Sequence, residues 1–194
     1  MPNQSEKLLL LSLLCSAPAT AVMLSFLFSF YSPIGTGTVG GVQSFLLGAL
    51  FLTIVPTVTI LYFYRKGIVD IELSERKLRT PFYAIGMVSQ MMAAIVFYSL
   101  HDNIMFVTAM AYAIVTALMM FINLKWKISA HASGVAGPVT ALYSIYGSQI
   151  LPLYLLLLPV FALRLKLKAH NIWQLIGGTV LATVVTYVVY SMML

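Results

Sequence analysis

The chain has 194 residues, of which 61% are hydrophobic and 8% charged, and its mean hydropathy is +0.97. Soluble domains carry about 25% charged residues, so the composition excludes an ordinary soluble globule and predicts one integral membrane domain over residues 1–194. The net charge of +6 does not indicate a nucleic-acid partner, because no stripe of interleaved basic and aromatic residues accompanies it.

A membrane-crossing helix needs roughly 20 apolar residues. The first candidate, Leu8–Tyr31, is longer than a signal-peptide core and no small-residue cleavage site follows it, so it reads as a retained helix. Cys15 lies inside it and is the only cysteine, which excludes an internal disulfide. Ser32–Val42 is Gly-rich and uncharged, and reads as a flexible connection. Gln43–Tyr64 follows, then a long charged loop, Arg65–Thr80, and a third span, Pro81–Leu100. The polar turn His101–Asn103 leads to Ile104–Ile122, and the basic Asn123–Lys127 leads to Ile128–Gly147. Gln149–Leu167, the basic Arg164–His170 and Ile172–Leu194 complete the chain. Pro138, Pro152 and Pro159 interrupt the fifth and sixth candidates, so two kinked crossings or one re-entrant hairpin are both open. The expected fold is all-α, a polytopic bundle of about six to seven transmembrane helices.

Alternating loops put the N-terminus, Arg65–Thr80, Asn123–Lys127 and Arg164–His170 on one side. All 11 cations fall there: Lys7, Arg65, Lys66, Arg76, Lys77, Arg79, Lys125, Lys127, Arg164, Lys166 and Lys168. The positive-inside rule makes that side cytoplasmic and places the N-terminus inside. A phosphate site is itself basic. Discounting Arg79, Lys127 and Arg164 for that reason still leaves the remaining cations on one side.

The charged loops bring several cations, a hydroxyl and two histidines to one membrane face: Arg76 and Arg79; Lys127, Ser129 and His131; Arg164 and His170. Ionisable groups at membrane depth are costly and point to function. This set suits a phosphoryl group, whose oxygens the cations neutralise while a histidine attacks phosphorus or protonates the leaving oxygen. In KISAHASGVAGP, Lys127–Pro138, the small residues after His131 would open a helix whose amides face an anion; close helix packing explains them equally well. His170 and Gln174 are four apart and share a helix face, so the glutamine carbonyl can accept an imidazole N–H and leave the other ring nitrogen free. Lys125, Lys166 and Lys168 read as headgroup anchors, and Trp126 and Trp173 as interfacial aromatics. Asp70, Glu72 and Glu75 can pair with or position the arginines, with a solvated loop the plainer reading for Glu72 and Glu75. No Cys/His metal spacing, Walker loop or dinucleotide fingerprint is present, so neither metal nor cofactor is expected.

Over about residues 65–190 the chain resembles the type 2 phosphatidic acid phosphatase superfamily, whose membrane members dephosphorylate lipid phosphates. The family's three motifs are K-x6-R-P, P-S-G-H and S-R-x5-H-x3-D. Here they are matched, in order, by Glu75-Arg-Lys-Leu-Arg-Thr-Pro81, by Ile128-Ser129-Ala130-His131, and by Leu163-Arg164 with His170 and Gln174 at the family spacing. The resemblance implies that His170 attacks phosphorus and His131 protonates the leaving alcohol. It further implies that Arg79 and Arg164, with Ser129, hold phosphate oxygens, and that Lys127 takes the role of the lysine missing from the first motif; Arg76 and Ala130 complete the phosphate-binding set expected for this chain. Gln174 stands where the family has aspartate, Ile128 replaces proline, Ala130 glycine and Leu163 serine. The implied substrate is a lipid phosphate, a phosphomonoester or diphosphate on a polyprenyl or glycerolipid chain. A silent relative that only binds or transports lipid phosphates is the alternative, with Gln174 as its support; a plain small transporter is less favoured because no inverted repeat stands out.

Overall fold

The computed structural model describes residues 16–194 and, among these, is all helical with no strand. The Leu8–Cys15 part of the Leu8–Tyr31 candidate, and Lys7 before it, lie outside the described residues. Seven helices follow: α1 Ala17–Tyr31, α2 Gly41–Arg65, α3 Arg79–Ser99, α4 Asn103–Asn123, α5 Ala130–Tyr146, α6 Leu157–Lys166 and α7 Ile172–Met193. A 3-10 turn, Arg76–Leu78, leads into α3, and a longer one, Ser148–Leu156, leads into α6. Five of the helical stretches are long and apolar enough to cross a membrane: α2, α3 with its lead-in, α4, α6 with its lead-in, and α7. Their outward faces carry large apolar residues such as Leu158, Val184, Ile95 and Leu46, as expected where hydrocarbon replaces water.

The two proline-bearing segments resolve into a helix, a turn and a helix. α5 ends at Gly147, whose φ of +81° favours glycine. The 3-10 lead-in contains Pro152 and rises about 2.0 Å per residue. With the α-helical part it makes a 19-residue rod, enough for a hydrocarbon core of about 30 Å.

α5 is the axis of the bundle. Every residue from Ala132 to Leu142 is buried, so this helix meets protein on all sides. Pro138 has no N–H to offer the carbonyl of Gly134. The Thr20 hydroxyl of α1 donates to that carbonyl instead, at 2.6 Å. The same glycine lets α1 approach: a Cβ at Gly134 would lie 2.6 Å from the Ala17 Cβ. On the opposite flank, a Cβ at Gly178 of α7 would lie 2.5 Å from the Ser129 carbonyl oxygen, and Ser133 Oγ donates to the Gly178 carbonyl at 2.9 Å. Small residues therefore serve helix packing here, the second of the two explanations open for them in the sequence.

α2 contains a π-helical turn, Ala49–Ile54. The Val55 N–H reaches back five residues to the Leu50 carbonyl, which leaves the Phe51 carbonyl to the next position, Pro56, where no N–H exists. The Ser89 hydroxyl of α3 fills that gap at 2.7 Å. The apolar core lies between α1, α3, α4 and α7, with Leu24, Phe28, Phe97, Ile104 and Met105 enclosed, and Tyr190 bonded to Thr108 at 2.7 Å.

The polar groups gather at the two ends. At one end the uncharged loop 32–42 is docked rather than free: Thr38 bonds the Leu100 carbonyl through its N–H at 3.0 Å and its hydroxyl at 2.7 Å. Gly37, at φ +66°, lies so close to the His101 carbonyl that no Cβ fits. Asp102 is fully buried there, capping α4 through the Met105 N–H and accepting from Ser44 at 2.6 Å. The charged loops meet at the other end. Replacing Gly134 by valine should overpack the α1–α5 contact and cost about 1–3 kcal/mol. Thermal unfolding in detergent should show a lowered midpoint for Gly134→Val and none of comparable size for Gly40→Ala, where a Cβ meets open space.

Candidate functional site

Three segments build the charged end. The first is the loop between α2 and α3. Asp70 organises it by accepting from the N–H groups of Glu72 (3.0 Å) and Ser74 (2.9 Å) and from the Ser74 hydroxyl (3.1 Å), a local turn that the short aspartate side chain favours. Leu73 is held at φ +50°. Its carbonyl accepts from Arg79 Nε at 2.6 Å, and Arg79 Nη1 donates to the Ile128 carbonyl at 3.2 Å. Arg79 is thereby buried at the start of α3, tied to both the first and second segments.

The second segment is Lys127–His131. Ser129 is fully buried and caps α5: its Oγ accepts from the Ala132 N–H at 3.3 Å, and its own N–H donates to the Gln174 carbonyl at 3.2 Å. Its hydroxyl oxygen thus serves the helix end, the ordinary role of a serine before an apolar helix. Ala130 occupies the first helical position, where amides have no partner within the helix. His131 follows in the same turn, partly exposed.

The third segment runs from the end of α6 to the start of α7. Arg164 is only 2% exposed. Its Nη1 meets Glu72 Oε2 at 2.6 Å, and its Nη2 contacts His131 Nε2. A guanidinium only donates, so His131 Nε2 is an acceptor and the ring is neutral, with its proton on Nδ1. A second tautomer follows in the same way. Asn171 caps α7 and Gln174 closes the capping box, its Oε1 accepting from the Asn171 N–H at 3.2 Å. A backbone N–H can only donate, which fixes that atom of the amide as oxygen. His170 Nδ1 lies 3.1 Å from the same Oε1, so Nδ1 carries the proton and Nε2 keeps a free lone pair.

The electrostatics agree with a neutral His170. Burial, and then the charges of Arg79 and Lys127, push its pKa down to about 4, against a smaller upward effect of the Gln174 hydrogen bond. Lys127 is half-buried, and desolvation and then Arg79 lower its pKa, while Asp70 and Glu72 oppose the shift. His131 lies within electrostatic reach of His170, Arg164 and Arg79. His131, His170, Gln174, Arg164, Arg79, Lys127, Ser129 and Ala130 are thus brought to one end of the bundle. Arg76 is turned elsewhere: its Nη1 donates to the Asn123 carbonyl at 2.5 Å, and Asn123 Nδ2 returns a bond to the Arg76 carbonyl at 2.9 Å. This clamp fastens the start of α3 to the end of α4. Among the described residues, Glu72 and not Asp70 forms the ion pair with Arg164.

Trp126 packs over Gly177 of α7 and Trp173 is largely exposed. Among the described residues no group of three metal-ligating side chains comes together. Compared with models of known families, with curated proteins and with solved structures, the chain matches none. What the fold defines is a helical bundle with five helices able to cross a membrane and a cationic, two-histidine cluster at one end.

Because folded His170 protonates near pH 4 and an exposed histidine near 6.5, the unfolded chain binds more protons between those values. Stability should fall as pH drops from about 6.5 towards 4 and be insensitive to this residue above that window. A histidine-labelled NMR titration should place the His170 midpoint near 4; a midpoint at the ordinary value would show the ring to be open to water and uncoupled from the cations.

Proposed function

We propose that this protein is a membrane-embedded lipid phosphate phosphatase, acting through a phosphohistidine on His170, with its site on the cytoplasmic side. The observation that carries the reading is the His170 tautomer. A ring whose Nδ1 proton is fixed by Gln174 and whose Nε2 lone pair is kept unprotonated among cations is a prepared nucleophile. An anion-binding site alone would need only the cations. The convergence of the basic loops at one end supports the orientation by the positive-inside rule.

The chemistry runs as an exchange of bonds at phosphorus. Arg164, Arg79 and Lys127 neutralise the phosphoryl oxygens, with the first-turn amides of α5 at Ala130 and His131 facing the same end. A substrate bound as its monoanion passes its proton to His131, whose Nε2 is the open acceptor once phosphate takes over the Arg164 guanidinium. His170 Nε2 then bonds to phosphorus as the phosphorus–oxygen bond to the lipid breaks, and the leaving alcohol oxygen takes the His131 proton. Water attacks the phosphohistidine, His131 takes the water proton, the phosphorus–nitrogen bond breaks, and the departing phosphate carries that proton away, leaving His131 neutral for the next substrate. Gln174 holds the ring through both steps. Lacking charge, it stabilises the phosphorylated ring less than a carboxylate would. Ser129 contributes by fixing the first turn of α5.

Phosphate release from purified protein in detergent, assayed with polyprenyl phosphates, polyprenyl diphosphates, phosphatidate and phosphatidylglycerol phosphate, tests this. Release should vanish in His170→Ala and rise in Gln174→Asp. Silence from every substrate, with Gln174→Asp silent as well, would instead favour a protein that binds or transports lipid phosphates without cleaving them.

A further inference from the structure

The loop between α2 and α3 lays an oxygen on each of the two buried guanidiniums of the site. Glu72 Oε2 sits 2.6 Å from Arg164 Nη1, and the Leu73 carbonyl sits 2.6 Å from Arg79 Nε. The arrangement is built, not incidental. Asp70 accepts the Glu72 and Ser74 N–H groups, and Leu73 is held in the left-handed region that a leucine rarely adopts. Arg164 is enclosed, whereas the Glu72 side chain keeps 27% of its surface exposed, so the carboxylate has a way out to solvent and the guanidinium has none.

We propose that Glu72 is an internal competing anion that keeps phosphodiester headgroups out of the site and yields only to a terminal phosphomonoester or diphosphate. This inference rests on the phosphate-binding reading above. A cationic site at a membrane face is surrounded by phosphodiester lipids at very high local concentration, each bearing one negative charge. An open Arg164 would be saturated by them. With Glu72 in place, a diester offers one charge in exchange for one charge, and it competes against a carboxylate whose folded loop gives it a large effective concentration. A terminal phosphate brings up to two charges and three free oxygens, enough to meet Arg164, Arg79 and Lys127 together, and this gain displaces the carboxylate. Glu72 thus determines specificity without touching the reacting phosphorus, and the Asp70 turn is the spring that returns it.

The test is binding, measured by calorimetry in phospholipid-free detergent on the full chain carrying His170→Ala throughout, so that phosphatidate is bound and not cleaved. Short-chain phosphatidate is the monoester probe and short-chain phosphatidylglycerol the diester competitor. With Glu72 intact, this protein should bind phosphatidate and should not release it to excess phosphatidylglycerol. Glu72→Gln should bind phosphatidate about tenfold more tightly, the scale set by losing one charge-assisted competitor, and should now release it to phosphatidylglycerol. Glu72→Asp, which keeps the charge but shortens its reach, should fall between the two, and it decides the matter if Glu72→Gln does not fold. Phosphatidate binding that is unchanged in both variants, with the diester still excluded, would overturn the role of Glu72 and leave the phosphate site standing. Absence of binding of both phosphatidate and inorganic phosphate in all three proteins would overturn the phosphate reading and this inference with it.

Discussion

Arg164 carries a permanent charge inside the protein, and the charged end of the bundle is arranged around the need to compensate it. An enclosed guanidinium is tolerated only when paired and hydrogen-bonded. Glu72 supplies the opposite charge across 92 residues of sequence, and His131 supplies a ring nitrogen. Because Arg164 can only donate, its contact also fixes the protonation of His131. One buried cation therefore ties three segments together and sets the chemical state of a neighbouring imidazole. The second histidine is set independently, by the capping box of α7.

The bundle supplies the frame for this arrangement. α5 is buried along eleven consecutive residues, and its first turn carries Ser129, Ala130 and His131. Its position is fixed by two close approaches, Gly134 against α1 and Gly178 against the Ser129 carbonyl. The carbonyls that Pro138 and Pro56 leave without a backbone partner are met by hydroxyls from adjacent helices: Thr20 for Gly134 and Ser89 for Phe51. In a medium without water such groups must be satisfied within the protein, so Pro138 and Pro56 each become a point of helix–helix attachment.

The sequence made some of this legible. Apolar runs of sufficient length marked the helices to within a few residues for α3, α4 and α7. The one-sided cations anticipated that three loops would meet, and the four-residue spacing of His170 and Gln174 anticipated their contact. Other features had no periodic trace. The choice between Asp70 and Glu72 as partner of Arg164 depends on loop backbone, although the shorter side chain of Asp70 hinted at a turn. Arg76 looked equivalent to Arg79, but its place one helical entry earlier gave it to the Asn123 carbonyl. Ser129 carried a capping signal as strong as its phosphate signal, since serine before an apolar helix is the usual N-cap. The docking of loop 32–42 was hidden because glycines permit both mobility and close approach, and only the His101 carbonyl beside Gly37 distinguishes the two.

The central claim is that His170 Nε2 forms a bond to phosphorus. The most direct measurement is rapid acid-free quenching of the protein with a cleavable lipid phosphate, followed by proteolysis and mass spectrometry of the peptide that contains His170. The account predicts a phosphoryl group on His170, absent from His170→Ala and longer-lived when His131 is replaced by alanine. A phosphoryl group on another residue, or turnover with no phosphohistidine at any time, would contradict it.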